Sequence, residues 1–406
     1  VDQPGLHSGS EVASDLKTLV EDASVVKFVN QLFLEAFECR ATDIHIEPYE
    51  NELRVRRRVD GILYETTVPA SIRHFQSAIV SRIKVMADLD IAERRLPQDG
   101  RIKIKVEGSN LDLRVSVIPT AFGESVTVRL LTSRMLLDLE HLGFFKSDLS
   151  YLEQLLDKPH GIILLTGPTG SGKTTTLYAF LSRINHEKTK VITIEDPIEY
   201  QIRGITQMQV HPKIALDFAR GLRSMLRHDP DVMMVGEIRD LETAEIAIRV
   251  ALTGHLVFST LHTNDASGSV TRLLDMGLES YLVASSVECV IAQRLVRLIC
   301  EFCKEEDHTS AVLKAEEVAN GRRVYRGRKC EKCNFTGYRG RTVIYEILGI
   351  NREIKNLILE RVSADNIRQK ALAQGMRTLR KCGWEKVYLG LTTPEEIMRV
   401  TMKEDD

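Results

Sequence analysis

The spacing of hydrophobic residues changes from helical to alternating near the start of the chain. Apolar residues recur at helical spacing between Val25 and Ala36, which predicts an amphipathic helix. From Leu53 to Val59 apolar residues alternate with arginines, and Asp60-Gly61 then precedes a second apolar run at Ile62 to Tyr64. Two such segments on either side of an Asp-Gly pair predict a β-hairpin.

A helix and three further strands complete the first predicted domain. The helix is expected from about Ile72 to Met86, and the strands at Arg101–Val106, Leu111–Val117 and Ser125–Leu131. In the last two strands apolar side chains fall on one face and polar or charged side chains on the other, as in a half-exposed sheet. We therefore predict a tail or linker at residues 1–24 and a small α+β domain at residues 25–138.

The middle of the chain alternates continuous apolar strands with helices. The predicted strands are Ile162–Leu165, Val191–Ile194, Val232–Val235 and Leu256–Leu261, and the helices include Ala215–Arg227 and Leu241–Leu252. Short apolar strands separated by helices predict an α/β fold with a mostly parallel sheet covered on both faces. We expect this domain at residues 146–298, after an interdomain linker at residues 139–145, with ligands at the carboxyl ends of its strands.

Composition narrows the class of protein. A length of 406 residues predicts two or three domains, and a net charge of -2 gives no general attraction to nucleic acid or acidic membranes. The sequence contains neither a secretory signal nor an apolar stretch long enough to span a bilayer, so we expect a cytoplasmic protein without direct membrane insertion. Val rather than Met at position 1 is compatible with a fragment of a longer chain.

One stretch carries a specific nucleotide-binding signal. Gly167-Pro-Thr-Gly-Ser-Gly-Lys173-Thr174 matches every fixed position of the phosphate loop G-x-x-x-x-G-K-[ST] and follows an apolar strand. Its glycines allow N–H groups to converge on a polyphosphate, Lys173 supplies charge for the β- and γ-phosphates, and the Thr174 hydroxyl is placed to ligate Mg²⁺. The alternative, an ordinary glycine-rich turn, does not explain why the strand, loop and helix signals agree. The predicted nucleotide-binding residues are Gly167, Pro168, Thr169, Gly170, Ser171, Gly172, Lys173, Thr174 and Thr175.

Acidic and histidine residues lie at the ends of the predicted strands. Glu195 and Glu237 each follow a strand, and His255 and His262 bracket another. A carboxylate at such a position can orient a water molecule for in-line attack on a γ-phosphate. We assign that role to Glu237, with Glu195 helping to organise water or metal and His262 as a further candidate. Taken singly, each acid is also typical of a helix cap or surface charge, and each histidine of a structural role.

Four of the seven cysteines form two tight pairs. The pairs are Cys300-x-x-Cys303 and Cys330-x-x-Cys333, a pattern that can place four thiolates tetrahedrally around Zn²⁺ in a closed structural site. The alternative is a redox-active dithiol, which this pairing and separation favour less. We expect a tetracysteine zinc subdomain at residues 299–338 and a helical C-terminal lobe at residues 339–406.

Taken in order, these motifs resemble those of the secretion ATPases of type II secretion and type IV pilus assembly. Besides the phosphate loop, the matching segments are an Asp box at Val191–Tyr200, a second nucleotide motif at Asp231–Arg239 and a His box at Thr253–His262. The resemblance implies a RecA-like P-loop ATPase domain that uses ATP and Mg²⁺, and a PAS-like fold for the α+β domain that precedes it. It also implies a homo-hexamer, peripheral at the cytoplasmic face of the inner membrane, that acts on the cytoplasmic domain of a platform protein.

The resemblance further implies roles for arginines. Arginines of the N-terminal domain in such ATPases reach a γ-phosphate bound on a neighbouring subunit, and the matching positions are Arg114 and Arg129. Arg223, Arg227 and Arg239 are further candidates near the nucleotide or the subunit interface. From the residues alone, a solvated charge on a half-exposed strand is the default interpretation of each strand arginine. RNA binding by this basic face is disfavoured, because no aromatic residues are interleaved with the arginines.

The resemblance leaves several functions to separate. The stretch Phe218–Pro230 looks closer to the type II secretion branch, which favours pseudopilus assembly and protein export. A pilus extension motor would hydrolyse ATP in the same way but would power the assembly of a type IV pilus. A nucleic-acid translocase would instead be stimulated by DNA or RNA with steep salt dependence, and a zinc scaffold that only binds ATP would not need Lys173 or Glu237 for its role.

Overall fold

The computed structural model describes residues 23–69, 75–106, 109–132, 138–307 and 323–401. The chain divides into two compact units, Val1–Arg134 and Met135–Asp406. The predicted tail at residues 1–24 lies almost entirely outside the described residues. The first residues of the helix expected from Ile72, and residues 308–322 between the two cysteine pairs, also lie outside the described residues.

The first unit is an antiparallel sheet with two helices. Its elements are α1 (Ala23–Glu38), β1 (Ala41–Pro48), β2 (Leu53–Val59), β3 (Ile62–Thr66), α2 (Gln76–Met86), β4 (Gln98–Val106), β5 (Ser109–Thr120) and β6 (Gly123–Thr132). The strands are ordered β3-β2-β1-β6-β5-β4, and every neighbouring pair is antiparallel. Leu113, Val115 and Val117 share one core with Val29 and Leu32 of α1, as their spacing requires. The predicted α+β fold of this region is confirmed.

The second unit is built on a seven-stranded sheet ordered β15-β12-β7-β11-β10-β8-β9, in which only the β12–β15 pair is antiparallel. Its strands are β7 (Gly161–Thr166), β8 (Val191–Glu195), β9 (Thr206–Gln209), β10 (Val232–Val235), β11 (Leu256–Leu261), β12 (Val287–Ile299) and β15 (Tyr338–Gly349), and a separate hairpin pairs β13 (Lys304–Glu306) with β14 (Tyr325–Gly327). Its helices are α3 (Lys146–Leu156), α4 (Lys173–Ile184), α5 (Phe218–Met225), α6 (Leu241–Leu252), α7 (Ala266–Asp275), α8 (Ser280–Ser286), α9 (Arg352–Leu359), α10 (Ala364–Ala373), α11 (Leu379–Tyr388) and α12 (Pro394–Val400). The predicted α/β fold with a mostly parallel sheet is confirmed.

Both faces of this sheet are buried, which explains its continuous apolar strands. Ile162 and Leu164 belong to one hydrophobic core, whereas Ile163 and Leu165 belong to the core on the opposite face. All six residues of β7 are buried. Among the described helices, none is long and apolar enough to cross a membrane.

The predicted start of the helical lobe needs correction. Residue 339 lies inside β15, which runs to Gly349 and forms an edge of the large sheet. Val343 to Leu348 are a nearly continuous apolar run, and periodicity alone does not separate a buried strand from a buried helix in such a run. Helices follow only from α9 onward.

The segment predicted as an interdomain linker, residues 139–145, belongs to the second unit. Leu139 to Leu142 form a short 3₁₀ helix, and Leu139 and Phe144 are buried in the core of that unit. The Nζ of Lys386 in α11 donates hydrogen bonds to the Gly143 carbonyl at 2.5 Å and to Thr342 Oγ1 at 3.0 Å. The apolar character of this segment reflects packing within the second unit.

Candidate functional site

The phosphate loop connects β7 to α4 at the carboxyl edge of the parallel sheet. Gly167, Gly170 and Gly172 have φ angles of +143°, +80° and +89°, which lie in the region that favours glycine. A Cβ on Gly167 would lie 2.5 Å from the Gln293 carbonyl oxygen, so the backbone approach itself excludes a side chain. The predicted strand, glycine turn and helix are therefore present in the required order.

Lys173 begins α4 and reaches back over the loop. Its Nζ donates to the carbonyl oxygens of Gly167 at 2.6 Å and Pro168 at 3.2 Å. Burial lowers the pKa of Lys173 to about 8, and the nearby charge of Glu237 opposes this shift. Within the described part of the chain, the hydrogen-bond partners of the ammonium group are these two loop carbonyls, which an incoming polyphosphate can replace.

The loop also contains groups that fit Mg-ATP. The Ser171 hydroxyl is buried and has no hydrogen-bond partner among the described residues, while Thr174 is exposed at the first turn of α4. A buried hydroxyl without a partner is costly unless a ligand satisfies it. The residues present therefore fit a bound phosphate chain, with the Thr174 hydroxyl available to a magnesium ion.

Gln293 supports the loop from β12 and was not identified by the sequence analysis. This fully buried side chain donates from Nε2 to the Ser171 carbonyl at 2.8 Å and accepts from Thr176 Oγ1 at 2.9 Å. It therefore fixes the loop and the first turns of α4 together. A single glutamine within the apolar run from Val287 to Val296 was the available signal, since a buried amide requires partners.

Glu237 lies just beyond β10, and the structure brings it together with His262 and Lys173. Its carboxylate is 3.0 Å from His262 Nε2, forms an ion pair with Arg239, and acts electrostatically on Lys173. The Glu237 side chain is 12% exposed, whereas His262 is about half exposed. These three groups form one polar site at the carboxyl ends of neighbouring strands.

Glu195 occupies a different environment from the one its sequence position suggested. Its carboxylate accepts hydrogen bonds from the hydroxyls of Tyr178 and Thr193 and from Gln207 Nε2, and the residue is 3% exposed. Both oxygens are therefore occupied inside the protein. A direct role of Glu195 in organising water or metal would require it to leave these donors, and the observed contacts instead connect α4 to the Asp box.

The two histidines that bracket β11 lie at opposite ends of the strand. His255 precedes β11, and its Nδ1 is 3.0 Å from the Val250 carbonyl oxygen at the end of α6. His262 follows the strand and contacts Glu237. Only His262 is at the edge of the sheet that carries the phosphate loop.

Arg114 and Arg129 lie in the first unit, directly opposite each other on β5 and β6. Arg129 Nε donates to Asp43 Oδ1 at 3.1 Å, and its side chain is 56% exposed. Like charges directly opposite each other on neighbouring strands are destabilising, so this carboxylate offsets part of the cost. Of the two, Arg129 is exposed and Arg114 is partly buried.

The other arginine candidates have partners in the second unit. Arg223 pairs with Glu242 at 2.5 Å, and Arg227 Nη1 donates to the Arg223 carbonyl at 3.0 Å. Arg239 pairs with Glu237. Of these three arginines, Arg239 therefore has the direct contact with the predicted water-orienting carboxylate.

The four paired cysteines converge as predicted for a metal site. The Sγ atoms of Cys300, Cys303, Cys330 and Cys333 all lie within 4.8 Å of one another. Three Sγ–Sγ distances are 3.9, 3.9 and 3.8 Å, close to the edge of a tetrahedron around a zinc ion with Zn–S bonds of about 2.3 Å. All seven cysteines are free, so the cluster contains no disulfide.

Backbone N–H groups favour the thiolate form at one corner of this cluster. The N–H groups of Cys330 and Gly337 each donate to Cys333 Sγ at 3.2 Å. Burial opposes ionisation of Cys333, but these hydrogen bonds outweigh it and lower the pKa of the thiol to about 7. The donor set and geometry thus fit zinc.

Comparison with known proteins agrees with these motifs. The family described as Type II/IV secretion system protein matches residues 18–399. The chain is 50% identical over 402 residues to the type II secretion system protein E of Xanthomonas campestris pv. campestris, covering 97% of this chain and 70% of that protein. It is 48% identical over 398 residues to the type IV pilus assembly ATPase PilB of Myxococcus xanthus, covering 96% of this chain and 70% of that protein.

A solved relative shares the architecture. The pilus retraction motor PilT with bound ADP is 28% identical, has a TM-score of 0.62, and covers 92% of this chain and 96% of its own. The matched region of the family includes the phosphate loop, Glu237 and the cysteine cluster. This chain therefore belongs to the type II/IV secretion system protein family and is one of its ATPases.

Proposed function

We propose that ATP hydrolysis by this chain powers pseudopilus assembly and protein export in type II secretion. The observation that carries the proposal is that the phosphate loop with Lys173 and the Glu237–His262 pair lie at the same edge of the sheet, where Glu237 acts electrostatically on Lys173. The similarity to a type II secretion system protein E supports this branch. The similarity to PilB makes type IV pilus assembly the second candidate.

The residues of the site divide the work of hydrolysis. The loop N–H groups and Lys173 bind the phosphates, and the Thr174 hydroxyl would hold a magnesium ion, which would neutralise phosphate charge. Glu237 orients the attacking water and takes its proton, while His262 holds the carboxylate in place. Glu195 is a positioning residue, because its hydrogen bonds hold α4 against the Asp box.

The active form in this proposal is a homo-hexamer at the cytoplasmic face of the inner membrane, working on the cytoplasmic domain of a platform protein. Arg114 and Arg129 would then reach the γ-phosphate bound on a neighbouring subunit. Their directly opposed position on β5 and β6 supports this role, since two like charges gain from a shared anion. The cysteine cluster would hold a structural zinc ion.

We further propose the arrangement of domains along the chain. Residues 25–138 form the arginine-bearing domain, residues 146–298 supply most of the ATPase core, and residues 299–338 contain the zinc subdomain. The C-terminal lobe packs on the ATPase core and adds β15 to its sheet. Since β12 and β15 pair directly, the zinc subdomain is an insertion between two strands of the ATPase sheet.

Deletion of the gene in the source cell tests the proposed branch. We expect a normally exported enzyme to accumulate in the periplasm while surface pili remain. A copy of the gene that carries Lys173→Ala should fail to restore export. Loss of pili with normal export would assign the same chemistry to pilus assembly. Strong stimulation of the purified ATPase by DNA or RNA would instead favour a translocase.

Mixing two inactive variants tests the trans arginine. Lys173→Ala removes a phosphate ligand but keeps Arg114, whereas Arg114→Ala keeps an intact phosphate loop. If Arg114 acts on a neighbouring subunit, mixed hexamers regain ATPase activity that neither variant shows alone, because the first supplies the arginine to the second. Activity that stays at the level of the separate variants contradicts the assignment, provided that sizing shows mixed assemblies.

A further inference from the structure

Arg294 lies beside the first glycine of the phosphate loop. It follows Gln293 on β12, and a Cβ added to Gly167 would be 3.0 Å from its Nη1. Nη1 donates to the Gln293 carbonyl at 3.0 Å, and Nη2 donates to the Asn264 carbonyl at 2.7 Å. The guanidinium group thus lies at the loop with backbone carbonyls as its hydrogen-bond partners.

Arg294 makes no ion pair within residues 138–307 and 323–401. The carboxylates that act on it electrostatically are those of Glu346 and Asp265. Both carboxylates are occupied at the start of α7, where Glu346 accepts from the Ala266 N–H at 2.7 Å and Asp265 from the Gly268 N–H at 2.6 Å. Burial removes part of the hydration of the Arg294 cation and lowers its pKa, and the charges of Glu346 and Asp265 oppose this shift.

The position of Arg294 corresponds to the β- and γ-phosphate end of the loop. A phosphate-loop lysine binds the β- and γ-phosphates, and here Lys173 donates to the carbonyls of Gly167 and Pro168. Arg294 is next to the same glycine, and its charge contributes to lowering the pKa of Lys173. A buried and a partly buried cation, both with carbonyl partners, thus lie at one end of the site, which favours a strongly anionic ligand.

We propose that Arg294 binds the terminal phosphate of ATP held by its own subunit, exchanging its carbonyl partners for phosphate oxygens. The inference rests on the proposed ATP site and adds a cation from the same chain to the arginines expected from a neighbour. Asn264 lies two residues after His262, so the exchange also removes a contact from the segment that carries His262. Arg294 thereby distinguishes ATP from ADP.

Binding of fluorescent nucleotides, without turnover, tests this assignment in the full chain. The probes are the N-methylanthraniloyl derivatives of ADP and of the non-hydrolysable β,γ-imido analogue of ATP, each with Mg²⁺. We expect Arg294→Gln to weaken binding of the ATP analogue by about tenfold, the effect of losing a charge-assisted hydrogen bond. Binding of the ADP derivative should change less than about threefold, because ADP lacks the terminal phosphate.

Arg249→Gln is the matched control, since it removes the same charge from an exposed position on α6. It should leave both affinities unchanged. Failure of the wild-type protein to bind the ATP analogue would contradict the ATP site itself. Wild-type affinity of Arg294→Gln for the analogue, or equal weakening for both nucleotides, would overturn the inference about Arg294 alone.

A conservative variant keeps the test usable if Arg294→Gln does not fold. Arg294→Lys retains a cation but cannot hold two oxygens in the fixed geometry of a guanidinium group. We expect it to bind the ATP analogue about threefold more weakly and to keep wild-type ADP affinity. Unchanged binding of the ATP analogue would likewise contradict the proposal.

Discussion

Glu195 and Glu237 follow neighbouring strands of one parallel sheet, yet their carboxylates have different surroundings. Ile194 is paired with Val235, so Glu195 aligns with Gly236, and Glu237 lies one residue farther along the chain. Glu195 is still part of its strand and is 3% exposed, whereas Glu237 lies beyond the end of β10, where its side chain is 12% exposed. Proximity to a strand end therefore does not by itself define a catalytic acid.

The partners of the two carboxylates show the same contrast. Glu195 accepts hydrogen bonds from two hydroxyls and an amide, all within the protein. Glu237 contacts His262 and Arg239, whose side chains are 48% and 65% exposed. The first set of contacts fixes the carboxylate, whereas the second leaves it accessible to a water molecule and to substrate.

The largest expected effect is the loss of hydrolysis in Glu237→Gln. The amide keeps the shape of the side chain but cannot accept a proton from water, so kcat should fall by about 100-fold or more. Affinity for the non-hydrolysable ATP analogue should stay within about threefold of wild type, because Glu237 is not a predicted phosphate ligand.

Glu245→Gln is the control for this variant, because Glu245 is a partly exposed acid on the same unit that lies 4.0 Å from Arg249. It should retain wild-type turnover. Substantial hydrolysis by Glu237→Gln, measured as phosphate release, would remove the distinction drawn between the two carboxylates.

A smaller effect on turnover, but a larger effect on stability, is expected for Glu195→Gln. The introduced amide would direct an NH₂ group toward donors that now face carboxylate oxygens. We expect a loss of about 2 kcal/mol in the free energy of unfolding, seen as a melting temperature lower by several degrees. Glu237→Gln should leave the melting temperature nearly unchanged.

A double-mutant cycle with Tyr178→Phe separates the contact from general damage. If the Tyr178–Glu195 hydrogen bond carries the effect, the two substitutions together should destabilise the protein by clearly less than the sum of the single changes. Additive losses, or a turnover defect in Glu195→Gln without loss of stability, would instead support the direct role first predicted for Glu195.

Of the three variants Glu237→Gln, Glu195→Gln and His262→Ala, we expect the last to have the smallest effect in free-energy terms. Removing one hydrogen bond to the Glu237 carboxylate should lower kcat by about tenfold and leave KM nearly unchanged, since the histidine positions the carboxylate without binding phosphate in this proposal. His255→Ala provides the comparison at the other end of β11 and should leave kcat close to wild type. Equal defects in both variants would show a structural origin.

The sequence predicted those elements whose spacing of apolar residues is typical of a single type of secondary structure. β10, β11 and α6 were placed with the bounds that the structure has, because each is a continuous or periodic apolar segment between clear breaks. β1, β9, β12 and β15 were not predicted. For β12 and β15, partners distant in sequence settle the conformation of long apolar runs that pattern alone leaves ambiguous.

The site residues that belong to a known sequence motif could be predicted from the sequence. Lys173 and the loop glycines follow from residue spacing, and the side chains of the four cysteines meet as their pairing indicated. The direction of the Glu195 side chain depends on strand register, which the sequence does not display. Gln293 and Arg294 belong to no such motif, and their importance follows only from the pairing of β12 with β7.

The contact between Gln293 and Ser171 has a consequence for the order of synthesis. The two residues are separated by 122 positions, so the loop emerges during translation long before the strand that supports it. A nascent chain that ends before β12 carries the complete phosphate-loop sequence but lacks the amide that holds the loop and α4 together. The ability to bind nucleotide should thus appear late in translation, only after β12 has joined the sheet.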